Sequence, residues 1–439
     1  MAGGDRPAVS EPDGGRQAVA AVWRIESARI VSTLARYTGD FALAEDLAQE
    51  SLAEALVSWP RDGVPRNPAG WLLTVGRRRA IDSFRRRSAL DERYTALARD
   101  LDEGGIASGD ATTPPAGAAP ETGLLWDPDR IDDDVLALMF VACHPVLSRE
   151  AQITLTLRVL GGLTSDEIAR AFLVPTATVQ ARITRAKKTL AAARVPFEVP
   201  PPDECRKRLG SVLNVLYLTF TEGSTASSGS EWIRPDLARE AIRQTRILAR
   251  LVPDQSEVHG LLALLELTAA RFPARLDDDG EPVLLEGQDR RRWDRAAIRR
   301  GRAALTQAGR VGRGLGAYGV QAAIAECHAV APSVEETDWE RVVLLYEALG
   351  RLAPSPVVEL NRAVAISMAQ GPAAALLVVD DLVAAGGLSG SHLLPSVRGE
   401  LLIRLGRRDD ARRELELAVR LCGNERERSV LQRKLATLA

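Results

Sequence analysis

Residues 162–190 read GLTSDEIARAFLVPTATVQARITRAKKTL, a stretch that predicts two helices joined by a tight break. Thr164 is a favourable helix N-cap, and Glu167 three residues later completes a capping box. Pro175 suits the first position of the second helix, where a missing N–H costs nothing. An apolar stripe at helical spacing predicts the buried face of that helix: Val179, Ile183, Ala186 and Leu190. The stretch is therefore typical of a helix-turn-helix.

The other side of the second helix carries small polar and basic residues, which are Gln180, Ala181, Arg182, Thr184, Arg185 and Lys188. Gln and Arg can hydrogen-bond to base edges in the major groove, while Lys and Arg contact phosphates. A solvated helix in an ordinary hairpin would have a similar composition. Because the capping box, proline break, apolar stripe and local charge agree, we expect this helix to bind DNA.

A second helical stretch, ALAEDLAQESLAEAL at 42–56, has one small and apolar face and one acidic face. The apolar face consists of Ala44, Leu47, Ala48, Ser51, Leu52 and Ala55. Asp46, Gln49 and Glu50 fall on the other side at helical spacing. Taken alone, an acidic face of this kind is usually solvated surface.

A third stretch, NPAGWLLTVGRRRAIDSFRRR at 67–87, combines six arginines with two aromatic residues. Arginine grips phosphate in two-point geometry, and aromatic rings stack on the bases of single-stranded DNA. The alternative is that Trp71 and Phe84 belong to a core and that the arginines lie on the surface. The residues alone leave both interpretations open.

The composition of the 439-residue chain predicts an all-α protein of several domains, because Ala, Leu and Arg are abundant and aromatic residues make up only 4%. Four scattered cysteines favour a reducing cytoplasm. The sequence contains no apolar signal core and no run long enough to span a membrane. Cysteine and histidine are adjacent at 143–144 and at 327–328. Adjacent side chains on a helix point about 100° apart, which is a poor geometry for proton transfer between them. We therefore expect no catalytic residue, no metal site and no cofactor.

Charge is segregated along the chain although the net charge is only −2. Residues 22–90 hold 11 Arg and 8 acids, a net of +3, and residues 135–194 hold 8 Lys or Arg and 3 acids, a net of +5. Between them, residues 95–134 hold 2 Arg and 10 acids, a net of −8. Two basic modules thus flank an acidic tether.

At this point a family resemblance is evident. AEDLAQE at 44–50 followed by WLLTVGRRRAIDSFRRR at 71–87 resembles region two of extracytoplasmic-function sigma factors. The helix-turn-helix, preceded by REAQITLTLRVLGGLTSDEIA at 149–169, resembles their region four. The order of the two, with a linker and no region three between them, also matches.

Domain boundaries are expected as follows: a disordered tail at 1–20, region two at 21–98, an acidic Pro/Gly linker at 99–130, region four at 131–194, a Pro-rich hinge at 195–204 and a helical extension at 205–439.

The resemblance implies partners for each surface. Asp46, Gln49 and Glu50 would dock on the clamp helices of the β′ subunit of core RNA polymerase, and region four would meet the β flap. Residues 58–68 resemble the loop that captures a flipped base of the minus-ten element. The residues implied in minus-ten DNA binding are Trp59, Asn67, Trp71, Arg77, Arg78, Arg85 and Arg86. The second helix of the helix-turn-helix would read the minus-thirty-five element.

The extension carries hints of tetratricopeptide repeats, since Gly371 and Gly406 are 35 residues apart, close to the 34-residue period. It is similar to the extension of one group of these sigma factors, which implies regulation in cis or through a protein partner on the repeats. Arg290–Arg292 and Arg299–Arg300 form a basic cluster near Asp277–Asp279, interpreted as internal ion pairs or solvated helix.

Two rival hypotheses remain. One is a core-independent helix-turn-helix regulator with a repeat-type sensor domain, which would have no need of the AEDLAQE face. The other is a scaffolding protein whose N-terminal half has decayed, and the retained arginine clusters argue against it.

Overall fold

The computed structural model describes residues 11–102, 128–172, 174–224, 235–277, 283, 285–423 and 425–438. Over these ranges the chain forms eighteen α-helices and no β-strand, so the all-α prediction is confirmed. The chain divides into two compact units, 1–212 and 213–439. Most of the predicted linker at 99–130 and half of the predicted tail at 1–20 lie outside the described residues. None of the described helices is both long and apolar enough to cross a bilayer.

Unit 1 begins with three long helices that pack around one core. They are α1 (Glu11–Thr38), α2 (Phe41–Asp62) and α3 (Pro68–Asp102). The three meet at Gly76, where a Cβ would lie 2.9 Å from Leu34 of α1 and 3.2 Å from Ser51 of α2. A residue without a side chain at this position therefore lets the helices approach closely.

The end of α2 differs from the prediction. Residues 58–62, expected in a loop, form the last turn of α2, which continues through Pro60 to Asp62. Gly63 then ends the helix with a φ of 86°, a left-handed conformation that favours glycine. The connection to α3 is therefore only residues 63–67, and the prediction of a loop over 58–68 is wrong for its first half.

The second part of unit 1 contains α4 (Pro128–Ala142), α5 (Arg149–Val159), α6 (Ser165–Phe172) and α7 (Thr176–Ala192). The capping box is confirmed: Thr164 N donates to Glu167 Oε2 at 2.8 Å, and Glu167 N donates to Thr164 Oγ1 at 3.2 Å. The predicted apolar stripe of α7 is buried at all four positions. Pro175 is the N-cap of α7 and not its first residue, a shift of one position from the prediction.

Unit 2 is a succession of helices that pack mainly on their chain neighbours. It starts within α8 (Pro202–Ser224) and continues with α9 (Pro235–Leu251), α10 (Ser256–Ala269), α11 (Arg295–Val311), α12 (Ala317–Val330), α13 (Trp339–Leu352), α14 (Pro356–Ala369), α15 (Pro372–Ala384), α16 (Leu393–Arg404), α17 (Arg408–Leu421) and α18 (Glu425–Ala436). Gly371 and Gly406, with φ of 98° and 75°, lie in the turns before α15 and α17. Their equivalent positions support a helical repeat, while the tetratricopeptide identity stays a prediction.

Candidate polymerase-binding and DNA-binding surfaces

The acidic face of α2 points out of the unit 1 core, as its helical spacing predicts. Ala44, Leu47 and Ala48 are buried. The side chains of Asp46 and Glu50 are 64% and 53% exposed, and Gln49 is half-buried. The exposed carboxylates are therefore accessible to another molecule.

Arginines of α3 hold part of this face in place. Arg79 donates from Nη1 to Glu50 Oε2 at 2.9 Å and from Nη2 to Glu54 Oε2 at 2.7 Å. Arg78 donates to the other oxygen of Glu54 at 3.1 Å. The bond to Glu54, with that to Glu50, raises the pKa of Arg79 above its ordinary value. These bridges fix α2 on α3 and orient Glu50.

A second set of ion pairs joins α2 to the helix-turn-helix part of unit 1. Glu45 is only 3% exposed and accepts a hydrogen bond from Arg158 Nε at 3.2 Å. Lys187 of α7 contacts the other oxygen of Glu45 and donates to Asp46 Oδ1 at 2.7 Å. Burial lowers the pKa of Lys187, but the carboxylates of Glu45 and then Asp46 outweigh it and raise the pKa above its ordinary value. We call these four residues the clasp.

Other contacts between the same two parts of unit 1 accompany the clasp. Arg24 of α1 pairs with Glu167 of α6, and Arg36 lies 3.4 Å from Asp134 of α4. Gly162, with a φ of 64°, approaches α1 so closely that a Cβ would lie 2.8 Å from Ser27 Oγ. A cavity of about 340 Å³ lies beside Lys187 at the boundary between the two parts. The two parts are therefore packed on each other and not independent.

Of the three candidates for base capture, Trp59 occupies an unexpected place. It is 2% exposed, lies within α2 and makes an edge-on contact with Trp71 at 5.6 Å between ring centroids. Its predicted place in a base-capturing loop is wrong, because a buried ring cannot stack on DNA. Asn67 is exposed in the remaining loop, where its Oδ1 accepts from Gly70 N at 3.0 Å, and Trp71 is half-buried.

The α3 arginines divide into a bound and a free group. Arg77 lies over the Tyr37 ring at 5.3 Å, and Arg78 is bonded to Glu54 as described. Arg85 and Arg86 are exposed, and among the residues that the structure describes Arg86 bonds to the main-chain oxygen of Asp82 alone. Arg85 and Arg86 are thus the α3 candidates best placed to meet phosphate.

The side of α7 that is expected to face DNA is exposed. Gln180, Ala181, Thr184, Arg185 and Lys188 are exposed, and Arg182 is half-buried. Sequence reasoning missed Lys187, the neighbour that turns toward α2. The only signal was a second basic residue beside Lys188 at the edge of the apolar stripe.

Neither Cys-His neighbour resembles a nucleophile activated by a base. Cys143 is buried and its thiol lies 3.5 Å from Thr156 Oγ1. Burial raises the pKa of Cys143 to about 12, so the reactive thiolate is disfavoured. Burial also raises the pKa of Cys327 and lowers that of His328 to about 4.

One grouping in unit 2 could not be seen in the sequence. His392, Cys422 and Glu427 bring a nitrogen, a sulfur and an oxygen within 4.8 Å of one another. His392 Nε2 lies 3.1 Å from Glu427 Oε1, a direct contact between two side chains that needs no bound ion to explain it. The grouping therefore carries no metal assignment.

Comparison with known proteins finds family matches for three parts of the chain. Residues 24–89 match Sigma-70 region 2, residues 137–190 match Sigma-70, region 4, and residues 208–309 match a family of unknown function, DUF6596. The chain is 44% identical over 419 residues, 93% of each chain, to an uncharacterized protein of Rhizobium meliloti. It is 26% identical over 183 residues, 42% of this chain and 58% of the relative, to the probable ECF RNA polymerase sigma factor SigI of Mycobacterium tuberculosis.

A chain with these two regions in this order is a sigma factor of the sigma-70 type, a class that serves promoter recognition. More narrowly, it belongs with the extracytoplasmic-function sigma factors and carries a C-terminal helical extension.

Proposed function

We propose that this protein binds core RNA polymerase through Asp46, Gln49 and Glu50 and directs initiation at a specific promoter class. The exposed acidic face of α2 carries the proposal, because a helix-turn-helix protein that works alone has no need of it. Asn67, Trp71 and the α3 arginines would bind the minus-ten element and help to melt the promoter. Helix α7 would bind the minus-thirty-five element. The β flap would hold region four.

The protein would act in the cytoplasm and perform no covalent chemistry, which the polymerase supplies. Sigma factor families are not enzymes in general.

Polymerase binding would require the clasp to open. Asp46 is bonded to Lys187, so a basic surface of the polymerase has to replace that lysine. Glu50 is bonded to Arg79 within the same module and could keep that bond while it meets the polymerase. Opening would also free α7 from α2, which lets regions two and four reach two separate promoter elements.

Run-off transcription with purified core polymerase and genomic promoter fragments tests the proposal. The wild-type chain is expected to give promoter-dependent transcripts and to co-purify with core. Asp46→Arg with Glu50→Arg should lose core binding with unchanged helical content by circular dichroism. Asp82→Arg, an exposed charge reversal on α3, is the matched control for core binding. Absence of promoter-dependent transcript and of core association from the wild-type chain would overturn the assignment.

The extension is proposed to regulate this activity, in cis or through a protein bound to its helical repeats. The same run-off assay compares the full chain with a chain ending at Pro200. A change in transcript yield in either direction supports regulation, and equal yield makes the extension dispensable for transcription.

A core-independent regulator is the second candidate, favoured by one observation: the DNA-facing side of α7 is exposed while the clasp is closed. Specific promoter binding by the chain alone, with no effect of core polymerase, would support that candidate instead.

A further inference from the structure

A large positive charge lies in unit 2, outside both sigma regions. Residues 290–313 contain nine arginines and one aspartate, a net of +8 in a chain whose total is −2. Helix α11 (Arg295–Val311) carries five of these arginines and no acidic residue. Most solvated helices mix the two signs, because like charges at helical spacing repel each other.

Several of these arginines have partners within the fold. Arg291 pairs with Asp289 at 3.0 Å, Arg300 with the buried Glu266 at 3.0 Å, and Arg302 with Glu326 at 2.8 Å. Arg290 donates to the main-chain oxygens of His328 and Ala331. The expectation of internal ion pairs thus accounts for part of the cluster.

Five arginines of residues 290–313 remain, and four of them form what we call the α11 arginine face: Arg295, Arg299, Arg310 and Arg313. These four are exposed and form no salt bridge with any residue that the structure describes, although Arg295 donates to the main-chain oxygen of Arg290 at 3.4 Å. At 100° per residue, the first three fall within about 60° of one another around α11. The 15 steps from Arg295 to Arg310 span about 22 Å along the helix axis. Ala297, Ile298 and Leu305 are buried on the other side, so the fold fixes this face toward solvent.

Helix α17 shows what an ordinary charged helix of the same unit looks like. Its arginines alternate with acids, and Arg407 and Arg413 both pair with Asp410. Because each arginine charge is offset by a nearby carboxylate, this helix presents little net positive charge to solvent. The absence of acids from α11 therefore distinguishes its exposed face from solvated helix surface elsewhere in the unit.

We propose that the α11 arginine face binds the phosphate backbone of duplex DNA. Guanidinium groups match phosphate in two-point geometry, and about 22 Å of helix faces roughly six phosphates of one strand, which are about 3.4 Å apart along the duplex axis. Contacts to phosphates carry no sequence information, so a face that binds only the backbone contributes affinity without sequence preference. This inference rests on the proposed sigma function and extends it: the extension is a third DNA contact.

The test measures binding of the full chain to a fluorescent duplex by anisotropy over a series of salt concentrations. The variant Arg295→Gln, Arg299→Gln, Arg310→Gln should lower affinity about 30-fold and reduce the log–log salt slope by about 2.7, since each phosphate contact contributes about 0.9. The matched control, Arg239→Gln, Arg407→Gln, Arg413→Gln, removes the same charge from exposed arginines that are already paired with acids. It should leave the slope unchanged.

Equal losses in the two triple variants would overturn the proposal, because they would reflect net charge alone. An unchanged slope in the α11 variant would overturn it too. Polyglutamate that displaces the wild-type chain as well as unlabelled duplex does would point to an acidic protein as the partner and contradict it. The variant Arg295→Lys, Arg299→Lys, Arg310→Lys keeps the positive charges and should retain most of the log–log salt slope.

Run-off transcription keeps this inference separate from the sigma assignment. If the wild-type chain gives no promoter-dependent transcript, the sigma function is rejected whatever the anisotropy measurement shows. Normal transcription together with an unchanged salt slope in the α11 variant rejects only the third contact.

Discussion

At the scale of single residues, His328 shows how burial sets the charge of a side chain. Burial lowers its pKa to about 4, and the positive charges of Arg271 and Arg290 add to the effect. An unfolded histidine titrates near 6.5, so between these values the unfolded chain binds more protons than the folded chain. The stabilisation is therefore present above about pH 6.5 and is lost as the pH falls toward 4.

We predict that one of the four histidine ring signals in the NMR spectrum of the full chain titrates near pH 4. His328→Gln should remove that signal and leave the other three in place. His144→Gln is the control, since burial lowers the pKa of His144 as well but without a shift of that size. A His328 signal that titrates near 6.5 would contradict the predicted environment.

Single residues also differ in how well the sequence predicts their place in the candidate site. Helical spacing alone was enough to turn Asp46 outward and Leu47 inward, because both depend only on the local period of α2. Glu45 and Lys187 could not be paired in advance, since 142 positions separate them and only tertiary packing joins them. Trp59 was misplaced because the family resemblance put residues 58–68 in a loop, whereas α2 continues through Pro60 to Asp62.

At the scale of helices, α10 and α12 meet through two glycines. A Cβ on Gly260 would lie 2.7 Å from the main-chain nitrogen of Gly319 and 3.0 Å from its Cα. Backbone atoms cannot rotate away as a side chain can, so the two helices would have to separate. The sequence marks both positions only as glycines within helical segments, which predict flexibility as readily as close packing.

We predict that Gly260→Ala destabilises the protein by about 1–3 kcal/mol, the usual cost of overpacking. Gly309→Ala is the matched control: this glycine lies exposed in α11, and a Cβ there has nothing within 4 Å. It should stabilise by up to about 1 kcal/mol, because alanine is the better helix former. Thermal unfolding of the full chain would measure both; equal shifts in the two variants would contradict the close approach.

At the scale of the whole molecule, a near-neutral composition conceals three basic stretches that are separate along the chain. Two belong to the sigma regions and the third is the α11 arginine face. Composition predicted the first two, since their charge runs coincide with recognisable motifs. The third was visible as a charge run, but only structure could separate the arginines that form salt bridges from those that form none with a described residue.

The clasp holds regions two and four together through the buried carboxylate of Glu45. Removal of Lys187 leaves Glu45 buried, with Arg158 as its remaining basic partner among the residues that the structure describes. A buried charge that loses a partner typically costs several kcal/mol, and Glu45 can recover that cost by reaching water when α7 leaves α2. Lys187→Gln should therefore shift unit 1 toward separated regions two and four and raise its affinity for core polymerase, because Asp46 no longer has a competing lysine.

Spin labels on Cys substituted at the exposed Ala53 and Ala177 would report this shift through the distance distribution between α2 and α7. Lys188→Gln is the matched control for that distribution, since it removes the same charge one residue later from an exposed position outside the clasp. The Lys187 variant is expected to broaden and lengthen the distribution, and the control is expected to match the wild-type chain. A distribution unchanged by Lys187→Gln would mean that apolar packing along α1, and not the buried carboxylate, holds the two regions together. In that case polymerase would have to displace a hydrophobic contact instead of a lysine.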